Sequence, residues 1–493
     1  MDNLCETVKD NETPRPQARS GYPDYPAYDR YKDSGVDWIG KIPQHWDLLN
    51  YRYLINVLTD YTANGSFADL AKNVQYKDEK DYSRLVRLTD LRNNLKNFGV
   101  FVSESAHEYL AKSSLFGGEL LMANVGAYAG YVCIMPKIDM PATLAPNMFL
   151  LKHKSNVLIK FLEFLINSSS YWNFLKTAAQ SSAQPKLNKD NVRALRIVLP
   201  PIEEQKAIAC FLDEKTQKID KAVKIKEAQI ALLKERKQIL IQEAVTKGLN
   251  LNAPMKDSGI DWIGHIPQHW EVKRLRDIFS FSKGLTITKE NLRDTGIPCV
   301  NYGEIHSKYG FSVNPKLHRL KCVDSTYLET SKKSLLEKGN FIFADTSEDL
   351  EGSGNFTFLD SNTPTFAGYH TIIGRIILQI IPRYLAYVLD SESGRNQTRA
   401  KVKGVKVFSI TNNLLKSNSA WLPPLEEQKA IVEHIDKESA KIDTAIAVKN
   451  DQITALKDYK TTLINAAVTG KINVTSYANH PQNERSNTEF SYG

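Results

Sequence analysis

KDSGVDWIGKIPQHW, residues 32–46, is written again as KDSGIDWIGHIPQHW at residues 256–270, with only Val36/Ile260 and Lys41/His265 different. A second matched block follows in each copy. Residues 199–208 read LPPIEEQKAI and residues 422–431 read LPPLEEQKAI, with one difference. Shared composition does not produce matches this close. The period, about 223 residues, far exceeds a solenoid unit, so each copy is expected to be a whole domain with an attached element.

Between the matched blocks, residues 47–198 and 271–421 diverge almost completely. A constant frame around two different middles points to two modules with different specificities. The plainer alternative, a duplication followed by drift, leaves the intact frame unexplained.

Each LPP block opens a long helical pattern. Pro200-Pro201 and Pro423-Pro424 cannot continue a strand ladder and stand where a helix can begin. Glu203-Glu204 and Glu426-Glu427 then place negative charge on the first turn, complementing the helix dipole. No Pro or Gly follows until Gly248 in the first copy and Gly470 in the second, both natural stop signals. Two helices of about 45 residues, roughly 65 Å each, are predicted.

Their apolar residues alternate at spacings of four and three. The first helix carries Leu212, Ile219, Val223, Ile230, Leu233, Leu240 and Ala244; the second carries Ile435, Ile442, Ile446, Ile453, Leu456, Leu463 and Ala467. Thr216, Lys226 and Lys237, matched by Ser439, Lys449 and Lys460, interrupt the stripe at the same steps. A narrow seam with polar interruptions reads as a coiled coil whose register the polar residues help to set. Helices this long are marginal alone, so the two are expected to pack on each other. The other reading is two solvated helices, each resting on its own domain.

Hydrophobic residues at 42% and charged residues at 24% place the chain among folded globular proteins, and 493 residues require more than one core. Lys plus Arg number 64 against 56 Asp plus Glu, a net charge of +8 that suits a polyanionic partner. Cys5, Cys133, Cys210, Cys299 and Cys322 form no CxxC pair, so neither a disulfide framework nor a zinc site is expected, and a reducing cytoplasm fits. The start, MDNLCETVKD, has no basic-then-apolar leader, and the most apolar stretch, 371–381, is too short for a membrane span.

Chemistry is hard to find. The GK pairs at Gly40 and Gly470 lack a phosphate loop's upstream glycines, and GGELLMANVGAYAG (117–130) reads as a strand with turns. Asp345, Glu348, Asp349 and Glu351 read as a solvated loop rather than a metal site. Neither a cofactor nor a catalytic constellation is expected.

Signals for DNA are clearer. RNQTRAKVKGVK, residues 395–406, holds Arg395, Arg399, Lys401, Lys403 and Lys406 with no acid among them, a mixture that serves phosphates and base edges. Gln184, Lys186, Lys189, Arg193 and Arg196 lie at the matching place in the first copy. Arg84, Arg87 and Arg92 alternate through a strand pattern, and Tyr302 with Asn301 closes another. The alternative for each cluster is an ordinary charged surface.

With both matched blocks, LVRLTDLR (85–92), PCVNYGEI (298–305) and the helix ends AVTKG and AVTGK, the sequence resembles the specificity subunits of type I restriction-modification systems over about residues 31–472. The resemblance implies an α/β (α+β) protein: two globular target-recognition domains joined by two long antiparallel coiled-coil helices, in a pseudo-twofold repeat. It places recognition domains at 31–200 and 251–422 and helices at 201–250 and 423–473; the Pro-rich polar start at 1–30 and the polar end at 474–493 read as a flexible extension and tail from their composition. The resemblance further implies a non-catalytic subunit that binds double-stranded DNA at a bipartite asymmetric site. The implied partners are two methyltransferase subunits and ATP-dependent translocating nuclease subunits, which keep S-adenosylmethionine, ATP and magnesium to themselves. Ala183-Gln184 departs from the Gly-containing basic loop seen as Lys403-Gly404-Val405-Lys406 in the second copy. The rival function is a tandem coiled-coil scaffold whose domains bind proteins.

Overall fold

The computed structural model describes residues 25–179, 184–404 and 406–475. The chain divides into two compact units, residues 1–225 with 452–493, and residues 226–451. The boundaries fall inside the two long helices, Ile202–Lys247 and Leu425–Val468, so each unit contains the first half of one helix and the second half of the other.

Unit 1 begins on the repeated motif. Tyr31–Asp33 pairs antiparallel with Lys41–Pro43, and Gly35 and Gly40 take φ of 67° and 70°, a conformation that side chains disfavour. The Gly35 N–H donates to Asp33 Oδ1 at 2.8 Å, closing the turn. Asp47–Asn50 then pairs with Arg196–Leu199, so the chain enters and leaves the domain side by side. Between them lie two four-stranded sheets. In one, Ser83–Val86 runs parallel to Ala142–Leu144; in the other, Met148–His153 lies between Ile55–Asp60 and Leu120–Ala123. The predicted strand with turns at 117–130 is the strand Leu120–Ala123 and the turn after it.

Unit 2 repeats the plan. Met255–Asp257 pairs with His265–Pro267, and Glu271–Arg274 with Ser419–Leu422. Ile297–Val300 runs parallel to Thr365–Ala367 in a four-stranded sheet. The other sheet has five strands because Phe311–Val313 adds to the edge of Phe356–Leu359.

The repeated residues lock each helix to its domain. In unit 1, Trp46 Nε1 donates to Glu204 Oε2 at 2.9 Å, Tyr28 OH donates to the same oxygen at 3.1 Å, and His45 Nε2 meets Oε1 at 2.6 Å. In unit 2, Trp270 Nε1 donates to Glu427 Oε1 at 3.1 Å and His269 Nε2 meets Oε2 at 2.7 Å. The next residue, fully buried, ties down the loop before it. Gln205 accepts from the Leu158 N–H at 2.8 Å and donates to the Pro200 carbonyl at 2.9 Å. Gln428 does the same with Ile381 N at 3.0 Å and Pro423 O at 2.9 Å. These bonds explain why the Glu-Gln pairs at 204–205 and 427–428 stand unchanged in both copies.

Both helix ends close on the same tryptophans. A Cβ on Gly470 would lie 2.3 Å from Pro43 and 3.2 Å from Trp46; one on Gly248 would lie 3.2 Å from Trp270. Their φ values, 72° and 71°, are those of helix-terminating glycines.

The helices pair as the seam predicts. Within unit 1, Leu212 shares a core with Leu463, Ala467 and Val468; within unit 2, Leu240 and Ala244 share one with Ile435. Leu212, Ile219, Val223, Ile435, Ile442, Ile453 and Leu463 are buried, while Ile230, Leu233, Leu240, Ile446 and Leu456 are half-buried. Two interrupting lysines reach across the seam: Lys460 meets Asp220 at 2.7 Å, and Lys237 meets Asp443 at 2.7 Å. Solvated pairs of this kind contribute about 1 kcal/mol or less, so register is their main effect.

Two expectations change. Residues 25–30, placed in a flexible extension, pack against unit 1: Tyr28 is buried, and the Pro26 carbonyl accepts from Asn473 N at 2.7 Å. Val474, placed in the flexible tail, is also buried, and the Thr475 hydroxyl donates to Asn473 Oδ1 at 2.7 Å; residues 1–24 and 476–493 lie outside the described residues.

One buried titrating group carries a prediction. His153 stacks on Tyr51, its Nε2 lies 2.7 Å from the Tyr51 hydroxyl, and its Nδ1 has no partner. Burial pushes its pKa down to about 4. Between that value and the unfolded one, near 6.5, the unfolded chain binds the extra proton, so stability falls as pH drops through this window. Wild-type unit 1 is expected to lose about 3 kcal/mol between pH 6.5 and 4 that His153→Gln retains, read from urea unfolding at both pH values.

Candidate nucleic-acid interface

In each unit the candidate interface grows from a strand that turns directly into a helix. LVRLTDLR is not one strand: Ser83–Val86 ends, and Leu88–Arg92 is helical. PCVNYGEI divides likewise into Ile297–Val300 and Tyr302–Ser307. A carboxylate three residues into each helix accepts the N–H of the residue before it, Asp90 from Arg87 at 2.9 Å and Glu304 from Asn301 at 3.0 Å. The spacing N-x-x-E at 301–304 is a legible capping signal.

This break redirects the arginines of unit 1. Arg84 is only 8% exposed and donates to the carbonyls of Leu95 at 3.1 Å and Asn97 at 2.9 Å. It braces the turn after the helix from within the unit. Gly99, φ 93°, leaves the room for it: a Cβ there would stand 2.9 Å from Arg84 Nε. Arg87 holds Asp90 through Nε at 3.0 Å and Nη2 at 2.9 Å. Burial raises the Asp90 carboxyl, and the bonds from Arg87 and Asn97 outweigh it, so the group sits below its ordinary range. Arg92 lies over the ring of Tyr128 at 4.2 Å. Lys189 pairs with Asp60 at 3.1 Å and Arg193 with Asp190 at 3.1 Å. Arg196 donates to Asn50 Oδ1 at 3.2 Å. Gln184 and Lys186 are exposed, on a segment that bridges to Val125 and so brings it beside the turn bearing Tyr128.

Unit 2 sorts its predicted residues similarly. The stretch from Arg395 is not a loop at first: Glu392–Arg399 is helical. Arg395 donates to Asp390 Oδ1 through Nη2 at 2.5 Å and to Asn355 Oδ1 through Nη1 at 2.8 Å. Arg399 donates to the Glu351 carbonyl at 2.8 Å and pairs with its carboxylate at 2.9 Å. Lys401 donates to Asn418 Oδ1 at 2.8 Å, and burial together with nearby Arg274 lowers its pKa. These three donors serve the fold. Lys403 and Lys406 are exposed and form no ion pair among the described residues.

The segment after Lys406 returns to the body of the unit, where Phe408–Ser409 pairs with Thr346–Ser347. That pairing carries Val407 to the rim of an open cleft of about 790 Å³, which Tyr302, His306 and Asn355 also line. Tyr302 lies edge-on to Tyr369 at 5.6 Å and His370 at 5.5 Å. His370 has a φ of 54°, a strained conformation of the kind concentrated at ligand sites. His306, Asn355, Tyr369 and His370 were missed in the sequence because they stand in separate segments without motif spacing. Among the described residues no metal-holding cluster is found around the acidic loop or elsewhere, and no helix is long and apolar enough to cross a membrane.

The equivalent corner of unit 1 is different. About 223 residues earlier, Tyr131 and Trp172 take the places of Asn355 and Arg395, and their rings meet edge-on at 6.1 Å. The frame is therefore repeated, whereas the corner it presents is polar in one unit and aromatic in the other.

A repeated frame presenting two unlike polar or aromatic corners is the build of a two-module recognition protein. The model of the type I restriction modification DNA specificity domain matches residues 64–234 and again 267–455. The chain belongs to that family. It is 24% identical over 451 residues to the type I restriction enzyme MjaVIII specificity subunit of Methanocaldococcus jannaschii, covering 88% of this chain and 94% of that one. It is 22% identical over 460 residues to the EcoKI specificity subunit of Escherichia coli, covering 90% and 92%. A chain solved in work on complex assembly and conformational transition of the type I R-M system shares the fold with a TM-score of 0.64 at 14% identity, over 87% of this chain and 99% of that one. The HsdS subunit of Thermoanaerobacter tengcongensis matches with a TM-score of 0.50 at 15% identity, over 89% and 100%.

Proposed function

We propose that this chain reads a two-part, asymmetric sequence in double-stranded DNA, one part with each unit, and has no catalysis of its own. Two methyltransferase subunits and ATP-dependent nuclease subunits act where it binds, and their cofactors are theirs. The observation that carries the reading is the contrast between the frame and the corners. Glu204 and Glu427 hold matching tryptophans and histidines, while at one place in the repeat unit 1 has the Tyr131–Trp172 contact and unit 2 has the Arg395–Asn355 bond. Conserved framing with divergent edges suits recognition of two unlike half-sites. Lys186, Lys403 and Lys406 would meet phosphates, and Tyr302 with its neighbours would meet base edges.

Mapping methylation in cells that express this chain with type I methyltransferase subunits tests the reading. Modification is expected at one bipartite motif and only when this chain is present; a single contiguous motif, or modification without the chain, would overturn it. A salt titration separates the scaffold alternative, because binding through several phosphates weakens steeply with salt.

The helix Ile202–Lys247 would then set the gap between half-sites. Four residues inserted near Thr246 add about 6 Å and one turn. The non-specific spacer is expected to lengthen by one or two base pairs with both half-sites unchanged. Two added residues turn the helix about half-way round and are expected to be tolerated worse. An unchanged spacer at full activity means that the helix is not the ruler.

A further inference from the structure

Asn355, His306 and Thr346, which line the cleft of unit 2, belong to one chain of hydrogen bonds that begins behind them. Asp390 Oδ1 accepts from Arg395 Nη2 at 2.5 Å, Arg395 Nη1 donates to Asn355 Oδ1 at 2.8 Å, and Asn355 Nδ2 lies 3.0 Å from His306 Nδ1. The chain ends where His306 Nε2 meets the Thr346 carbonyl at 2.8 Å. A carbonyl only accepts, so Nε2 carries the proton and Nδ1 accepts from the Asn355 amide. A guanidinium only donates, so the Asn355 oxygen must face Arg395. The two ends assign the same orientation to the amide between them.

This orientation leaves Asn355 with one N–H and one oxygen lone pair unused, on a residue that lines the cleft beside Tyr302. An asparagine amide offers the donor and acceptor that match N7 and the N6 amine of adenine in the major groove. We propose that Asn355, backed by His306, reads an adenine in the half-site bound by unit 2, and that Arg395 is the residue that positions it. The proposal rests on the DNA-reading function above. It replaces the direct DNA contact expected for Arg395 with an indirect role: the side chain is 22% exposed and its guanidinium is already divided between Asp390 and Asn355. It also gives unit 1 a different preference, since Trp172 and Tyr131 cannot make this arrangement.

The test uses the assembled complex, duplexes carrying its mapped site, and every single-base variant of that site, over a series of salt concentrations. Arg395→Met and Arg395→Lys are both expected to lose discrimination at one adenine in the unit 2 half-site, on the order of 10- to 100-fold. Lysine fails with methionine because a point charge cannot hold Asp390 and Asn355 together. The salt slope and the unit 1 half-site are expected to stay as in wild type. Asn355→Asp keeps the acceptor for Arg395 and removes the donor, and is expected to lose discrimination at the same position.

Several results would overturn the proposal. If Arg395→Met weakens all sequences equally and lowers the salt slope by about one, Arg395 is a phosphate contact. Unchanged discrimination in a folded Asn355→Asp also overturns it, whatever the arginine variants do. Unfolding of all three variants marks the network as structural and overturns it too. A wild-type complex that prefers no sequence instead overturns the function on which the proposal stands.

Discussion

A hybrid whose residues 271–421 come from another member of the family is expected to recognise the same first half-site and a wholly new second one. The fold favours such an exchange. Glu271 pairs with Leu422 and Arg274 with Ser419, so the domain's entry and exit strands lie in one ladder. A ladder is held by main-chain bonds, which tolerate a change of side chains. One side chain near the junction does not share that tolerance. Trp421 is fully buried and its Nε1 donates to the Val245 carbonyl near the end of the helix. A junction that keeps Trp421 is therefore expected to give the more stable hybrid. Methylation mapping decides the main point: if both half-sites change together, one unit does not read one half-site.

Glu204→Ala is expected to cost unit 1 about 3 kcal/mol or more. The carboxylate accepts from Trp46 Nε1 and Tyr28 OH and meets His45. Trp46 is fully buried and Tyr28 nearly so, hence their donors would be left without a partner and without water. A lost bond to a charged group is worth about 1.5–3 kcal/mol, and stranding a buried donor adds to that. Glu427→Ala is expected to cost unit 2 less, by roughly one bond to a charged group or about 1.5–3 kcal/mol, because Tyr28 supplies unit 1 with a bond beyond the shared pair. Urea unfolding of the single variants measures both. Equal losses would mean that the Tyr28 bond adds nothing.

The seam shows how far a one-dimensional pattern reaches. Spacings of four and three identified the positions from Leu212 to Leu240 and from Ile435 to Leu463, since a helix turns a periodic sequence into one face. The ion partners of Lys237 and Lys460, Asp443 and Asp220, could not be read from the sequence. They lie more than 200 residues away, and pairing at that range follows from the register of the packed helices.

Charge patterning selected basic clusters, and the fold divides their members between bonds within the chain and exposure. Arg84, Arg395, Arg399 and Lys401 were expected on DNA because they are basic and clustered. A basic side chain is drawn equally to phosphate and to a carbonyl or carboxylate of its own chain, and composition cannot distinguish them. The carbonyls of Leu95 and Asn97 take Arg84, while Asp390, Glu351 and Asn418 take the other three. Lys403 and Lys406 remain exposed.

By itself the sequence determined what is local or periodic. Near-exact repetition declared two domains in one frame; paired prolines, first-turn glutamates and Gly248 and Gly470 bounded two helices of 46 and 44 residues; and the spacing of apolar residues set their seam. Tertiary structure alone decided what depends on meetings between distant segments. It turned Glu204 and Glu427 into acceptors for matching tryptophans, and it gathered Tyr302, His306, Asn355 and His370 around one cleft. The physical reason is that a hydrogen bond is set by distance and direction between two groups. The sequence carries those quantities for neighbours along a helix or strand, whereas for residues far apart they exist only once the core has packed.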